Sequence, residues 1–223
     1  MKMKIALAAL ALPVAFAGVV AFHPGVAYAG SPLAKLQATL FPQTGTYTVD
    51  PAHTSVGFEI DHLGVSRVQG RFGKAEGKLN VDLKNPSASS VGFTIATDSI
   101  DTAVAPRDAH LRTADFFDTA KYPEIRFQST KIRRAGKGYV AEGNLTMKAT
   151  TKKIAIPFRV HGPITDPWGA TRLGIVAVPI KLNRQEYGIA YNDKLPSGVP
   201  AVGNEVVVRL SLEATLDKAA SAK

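Results

Sequence analysis

Apolar and polar residues alternate with period two along most of this chain, beginning at Thr46. Tyr47 to Asp50 is strand-like and stops at Pro51. From Ser55 to Leu63, Val56, Phe58 and Ile60 fall on one face, against Gly57, Glu59 and Asp61 on the other, the signature of a half-buried strand. Strands are also predicted over Val68–Lys74 and Lys78–Leu83, and around Val91, Phe93 and Ile95. Glu124–Arg133 and Tyr139–Met147 form a hairpin across Ala135-Gly136-Lys137-Gly138, and Lys152–Val160 and Arg172–Leu182 follow. Asn204–Leu216 closes the series, with Val206, Val208, Leu210 and Leu212 facing one way. Eight to ten strands joined by short turns imply antiparallel pairing. Each strand offers one apolar face, which a sandwich or a barrel would bury equally well.

One stretch breaks the alternation, Arg107 to Thr130. Pro106 opens it, in a run suited to a short helix, because proline is tolerated in a helix's first turn and Asp108 sits well near the positive N-terminal end. Phe116 and Phe117 follow as an apolar plug. Tyr122-Pro123 ends the segment, since proline disfavours helix at the residue before it.

Ahead of the strands, Lys2 and Lys4 precede an apolar run from Ile5 to Phe22, and Ala27-Tyr28-Ala29 supplies a small-x-small pattern. This reads as a signal peptide cleaved after Ala29, and hence an exported, periplasmic protein, rather than a membrane anchor. Residues 30–45 are a lead-in expected to be poorly ordered, 46–217 the β domain and 218–223 a tail. Removing residues 1–29 takes two lysines and no acid, lowering the net charge from +9 to +7. Such a balance suits anionic lipid or a phosphorylated ligand; an exported protein rarely meets nucleic acid. The chain has no cysteine, which excludes thiol catalysis, thiolate metal sites and disulfides.

Three ordered blocks carry a family resemblance. YTVDPAHTSVGFEIDHLGVSRVQGRF (47–72), RDAHLRTADFFDTAKYPEIRFQST (107–130) and GNLTMKATTKKIAIPF (143–158) resemble the YceI-like, polyisoprenoid-binding exported proteins. DPWG (166–169), RQEYGI (184–189) and VGNEVVV (202–208) fit the same pattern. The resemblance implies a lipocalin-like antiparallel β-barrel of about eight strands, with a short helical segment around 107–117. It implies an apolar tunnel that binds a polyisoprenoid, an isoprenoid quinone or another long-chain amphiphile without catalysis. No cofactor beyond that lipid and no metal is expected. A transient contact with a membrane or membrane protein, and a homodimer, stay open.

The residues expected to line the tunnel are Phe58, Ile60, Phe93, Ile95, Phe116, Phe117, Phe127, Phe158 and Trp168. His53, Arg107, Asp108, His110 and Arg112 are expected at the mouth, meeting a headgroup or forming a polar latch. Two other readings compete. A structural or stress-response module would use the same phenylalanines to fill its core. A histidine-dependent enzyme would use His53 or His110, but no Gly-x-Ser-x-Gly elbow, phosphate loop or metal-ligand spacing accompanies them.

Overall fold

The alternating residues close into a barrel. The structure is a computed structural model, and it describes residues 44–82, 84–193 and 195–217. The proposed cleavage site at Ala29, almost all of the lead-in and the 218–223 tail lie outside these residues. Twelve strand segments build the wall: β1 (Gly45–Val49), β2 (Ser55–His62), β3 (Ser66–Phe72), β4 (Ala75–Val81), β5 (Ser90–Ala96), β6 (Ile100–Asp101), β7 (Glu124–Ala135), β8 (Gly138–Met147), β9 (Thr150–Thr165), β10 (Thr171–Ala177), β11 (Ile180–Asn183) and β12 (Val202–Leu216). They amount to eight staves, because β1/β2, β3/β4, β5/β6 and β10/β11 are each one stave broken once. All pairings are antiparallel, and all but the closing one join staves that follow each other in the chain. The ring closes where β12 pairs with β2 (Val208 opposite Phe58) and with β1 (Tyr47 opposite Leu216). Closure leaves few free edges, the main aggregation hazard of a β protein.

The breaks have local causes. Asp50 accepts the Ala52 amide and caps a 3-10 turn over Pro51–His53, where proline's missing N–H would have interrupted the ladder in any case. The one α-helix among the described residues, α1, spans Ala105–Leu111, with Pro106 in its first turn. It is shorter than the sequence suggests. Residues 112–123 continue as turns, in which Asp118 adopts φ of +50° and the Tyr122 amide bonds to Asp118 O at 2.8 Å.

Chain direction sorts the connections by end. At one end, called here the cap, lie the 62–66 turn, the 102–123 insertion with α1, the 147–150 turn and the 184–201 loop. At the other, the base, lie the 82–89 loop and the β7–β8 and β9–β10 hairpins. Tyr47, Val56, Leu79, Phe93, Phe127, Leu173, Leu212 and Ala214 are among the buried residues between them. Among the described residues no helix is long and apolar enough to cross a membrane.

Candidate functional site: the barrel interior and its cap

The interior is hollow. A cavity of about 410 Å³ occupies the cap half, and one of about 110 Å³ the base half. Phe93, Phe127, Ile156 and Leu210 border both and form a waist between them. The larger volume falls within the roughly 300–1,000 Å³ of small-molecule pockets.

Glycines explain why so many phenylalanines do not fill the lumen. Gly70 lies opposite Phe58, and a Cβ there would sit 2.4 Å from the Phe58 ring. Gly77 lies opposite Phe93, and Gly143 beside Phe127, with corresponding approaches of 2.8 and 2.7 Å. Each ring occupies the space that a neighbouring side chain would otherwise take. The rings therefore line the wall instead of plugging it.

The residues expected in the tunnel divide as follows. Phe58, Ile60, Ile95, Phe116 and Phe117 line the larger cavity, Phe158 the smaller, and Phe93 and Phe127 both. Trp168 does not belong with them. It lies in the β9–β10 turn on the outer surface, 85% exposed. The turn residues of DPWG follow the stave out past the barrel wall, so the side chain has no route inward.

His53 also departs from expectation. It sits in the kink between β1 and β2, away from the cap, with Nδ1 3.0 Å from Asp50 Oδ2. Asp50 belongs to an outer-face cluster centred on Arg172. That guanidinium reaches Asp166 (2.6 Å), Glu213 (2.6 Å) and Asp50 (2.8 Å). The hydrogen bond from His53, then that from Arg172, holds the Asp50 carboxyl down to about 2. Asp50, His53 and Glu213 lie close enough to share an ion, but Arg172 already takes the two carboxylates, so this is a poor cation site.

The other mouth residues build the cap. Thr102 Oγ1 donates to Asp108 Oδ1 (2.5 Å), which also accepts the Thr102 amide (2.9 Å), and Asp108 is buried. Arg107 donates to Thr102 Oγ1 (2.7 Å) and Thr102 O (2.8 Å). Arg112 donates to Asp98 O (2.8 Å) and Ile100 O (2.7 Å). These bonds bind α1 to the end of stave β5/β6. Arg107 and His110 also border the larger cavity. His110 bonds to Asp115 (2.8 Å) and stands edge-on to Phe116 and Tyr191, at ring separations of 5.1 and 5.0 Å.

Two further cations, neither singled out by the sequence reading, complete this end. Lys148, at φ of +51° in the β8–β9 turn, donates to Phe116 O at 2.8 Å and reaches Gly188 O at 3.3 Å. Arg184 is only 4% exposed. Its nitrogens donate to the carbonyls of Gly203, Ile189 and Tyr191, each at 2.8 Å, and to Val202 O at 3.3 Å. A longer contact of 3.5 Å reaches Asn204 Oδ1. Burial lowers its pKa from the ordinary guanidinium value. Tyr191 donates to Asp193 (2.8 Å), and that carboxylate raises the phenol's pKa. The polar lining of the larger cavity is thus confined to the cap: Asp61, His62, Thr102, Arg107, His110, Arg184, Tyr187, Tyr191 and Asp193. Below it the wall of the larger cavity is apolar.

Comparison with known proteins agrees with this architecture. Residues 47–214 match the model of the YceI-like domain. The chain is 43% identical over 125 residues to protein YceI of an Escherichia coli strain, covering 56% of this chain and 65% of that protein. A UPF0312 protein of Photorhabdus laumondii is 42% identical with the same coverage, so the match spans just under two thirds of either relative. A UPF0312 protein of Shewanella sp. MR-4 is 39% identical over 158 residues, 70% of this chain and 82% of that one. Among solved structures, Burkholderia cenocepacia BcnA superposes with a TM-score of 0.66 at 22% identity, covering 75% of this chain and 99% of its own. A polyisoprenoid binding domain from Saccharophagus degradans gives 0.58 at 14% identity, covering 77% and 98%. These two show the shared fold. With the family model spanning three quarters of its length, the chain belongs to the YceI-like family.

Proposed function

We propose that this protein sequesters or carries a polyisoprenoid-type lipid, or another long-chain amphiphile, in the periplasm by burying the tail in its barrel. The observation that carries this reading is the hollow interior, in which a polar, aromatic cap opens into a predominantly apolar lumen. A tail in the lumen gains about 0.8 kcal/mol per buried CH₂, roughly 3–4 kcal/mol gross for each five-carbon unit. Ordering the tail offsets much of that gain. The lumen selects by width and length. Any headgroup preference is exerted at the cap, where His110, Tyr191 and Asp193 supply donors and acceptors. The likeness to a polyisoprenoid binding domain supports the same class of ligand.

A side-chain-filled barrel is disfavoured by the 410 Å³ left open. Non-catalytic action is supported by the placement of the histidines: His53 on the outer face, His110 engaged by Asp115 and two rings. Mass spectrometry of an organic extract of the purified protein tests the reading, together with uptake of prenols and isoprenoid quinones. A long-chain amphiphile at about one per barrel is expected. Protein that is always empty and takes up none of these would overturn the proposal.

A further inference from the structure

The base of the barrel carries features that ligand burial does not use. Trp168 and Ile164 are 85% and 60% exposed on the β9–β10 hairpin. The turn that presents them is tightly built. Asp166 Oδ1 accepts the amides of Trp168 (3.0 Å) and Ala170 (2.8 Å), and Oδ2 accepts Arg172, which is anchored in turn by Asp50 and Glu213. The chain thus holds its one tryptophan outward on a braced turn, although burial would favour the indole. The neighbouring β7–β8 hairpin, joined to it through the β8–β9 pairing, is basic. In its base half, residues 131–143, Lys131, Arg133, Arg134 and Lys137, with Arg159 packed beside Gly138, stand against one carboxylate, Glu142, which engages Arg133 at 2.7 Å.

From this pairing of an outward indole with a basic hairpin, we propose that the base of the barrel docks on an anionic lipid bilayer surface. Trp168 and Ile164 enter the interface, and the β7–β8 cations meet the headgroups. An amphipathic ring with an N–H suits the headgroup depth, and clustered Lys and Arg near an anionic surface add to binding. The docked barrel turns its cap, and the mouth of the larger cavity, to the aqueous side. The surface is independent of what the lumen holds, so this proposal and the ligand reading can fail separately.

Because Trp168 is the only tryptophan, its fluorescence reports the docking directly. Vesicles of phosphatidylglycerol and phosphatidylcholine in equal parts should shift its emission to the blue and carry the protein in flotation; pure phosphatidylcholine should do so far less. Raising salt from about 0.05 M to about 0.5 M should release the protein, as the Debye length shrinks severalfold. Trp168→Ala should weaken flotation, and Lys137→Glu and Arg134→Glu should weaken it at least about fivefold each. An emission that stays at the solvent-exposed position while phosphatidylglycerol vesicles float the protein overturns the assignment of this face. So does loss of flotation on Val65→Asp or Val199→Asp, which would place docking at the cap. Absence of flotation overturns membrane docking altogether, as does a blue shift that depends on protein concentration without vesicles, which would mark a second copy as the occupant.

Discussion

The most buried cations at the two ends of this barrel are held by different acceptors. At the cap, buried or half-buried cations donate to backbone carbonyls: Arg184 to the 189–203 loop, Arg112 to residues 98 and 100, Lys148 to residue 116. At the base, Arg172 is held by three carboxylates on the outer wall. A carbonyl acceptor ties the cation to a segment of chain, so the cap bonds hold loops in place. A carboxylate ties side chain to side chain, so the base cluster braces a wall that the β ladder already defines. The difference teaches which end depends on single residues. The cap loops lack a ladder of their own and should fail when one donor is lost, whereas the base should weaken gradually.

The largest effect is expected at Arg184. Arg184→Met leaves several buried carbonyls without a donor, and since each hydrogen bond to a charged group is worth roughly 1.5–3 kcal/mol, a loss of about 3 kcal/mol or more is expected. Urea unfolding measures it. Lysine should rescue little, because a compact ammonium with three donors cannot span the acceptors that the planar guanidinium reaches. A loss under about 1 kcal/mol would break the contrast between the ends.

Asp108→Ala comes next, at about 2 kcal/mol, because it strands the buried Thr102 hydroxyl and amide. Its distinguishing effect is local. Amide exchange over residues 102–123 should accelerate while the β9–β10 hairpin stays protected. Equal acceleration at both ends would show one cooperative unit, without separate fastenings.

How far the sequence foretold this contrast depends on the kind of interaction. The staves were legible, since period-two alternation follows from a wall with one apolar side. Val206, Val208 and Leu210 were assigned a common face, and all border the larger cavity. Closure into a barrel was not in the pattern, which a sandwich would satisfy; the family resemblance supplied it. Arg107, Asp108 and Arg112 stood out as a charged cluster in the one break, and they do latch the cap. Arg184 lies inside RQEYGI, but nothing in the sequence marks it as buried. Its partners are carbonyls of the 189–203 loop, and backbone acceptors leave no mark in side-chain sequence. Trp168 was misplaced because an exposed indole contradicts its hydropathy. The openness of the lumen was hidden as well: it depends on Gly70, Gly77 and Gly143 facing particular rings, a matter of cross-strand register.

That register yields a smaller prediction. Gly70→Ala places a methyl where the Phe58 ring lies, also 2.9 Å from Thr102 Cγ2. The ring should swing into the larger cavity at a stability cost of about 1–3 kcal/mol. Ligand uptake should fall by more than the stability change explains, in a binding assay run well below the melting temperature. Unchanged uptake would mean that the Phe58 region of the cap half does not hold the ligand.

The smallest effect at neutral pH separates the ends by titration. The Asp50 carboxyl is held at about 2, below its ordinary 3.8, chiefly by His53 and then Arg172. The Asp166 carboxyl is also lowered, first by Arg172 and then by the Ala170 amide. A carboxylate with a depressed folded pKa stabilises fully above its unfolded value, and that contribution is lost as protons bind first to the unfolded chain. The base should therefore keep its ion-cluster stabilisation down to about pH 4 and lose it between about pH 4 and pH 2. The carbonyls that receive Arg184 and Lys148 do not titrate. Amide exchange around residues 164–172 should accelerate in that window before exchange around residues 184–203 does. Asp50→Asn should flatten the acid dependence of the base while lowering its stability at neutral pH. If the cap loosens first as pH falls, the fastening of the two ends is not divided between carbonyls and carboxylates in the way their geometry indicates.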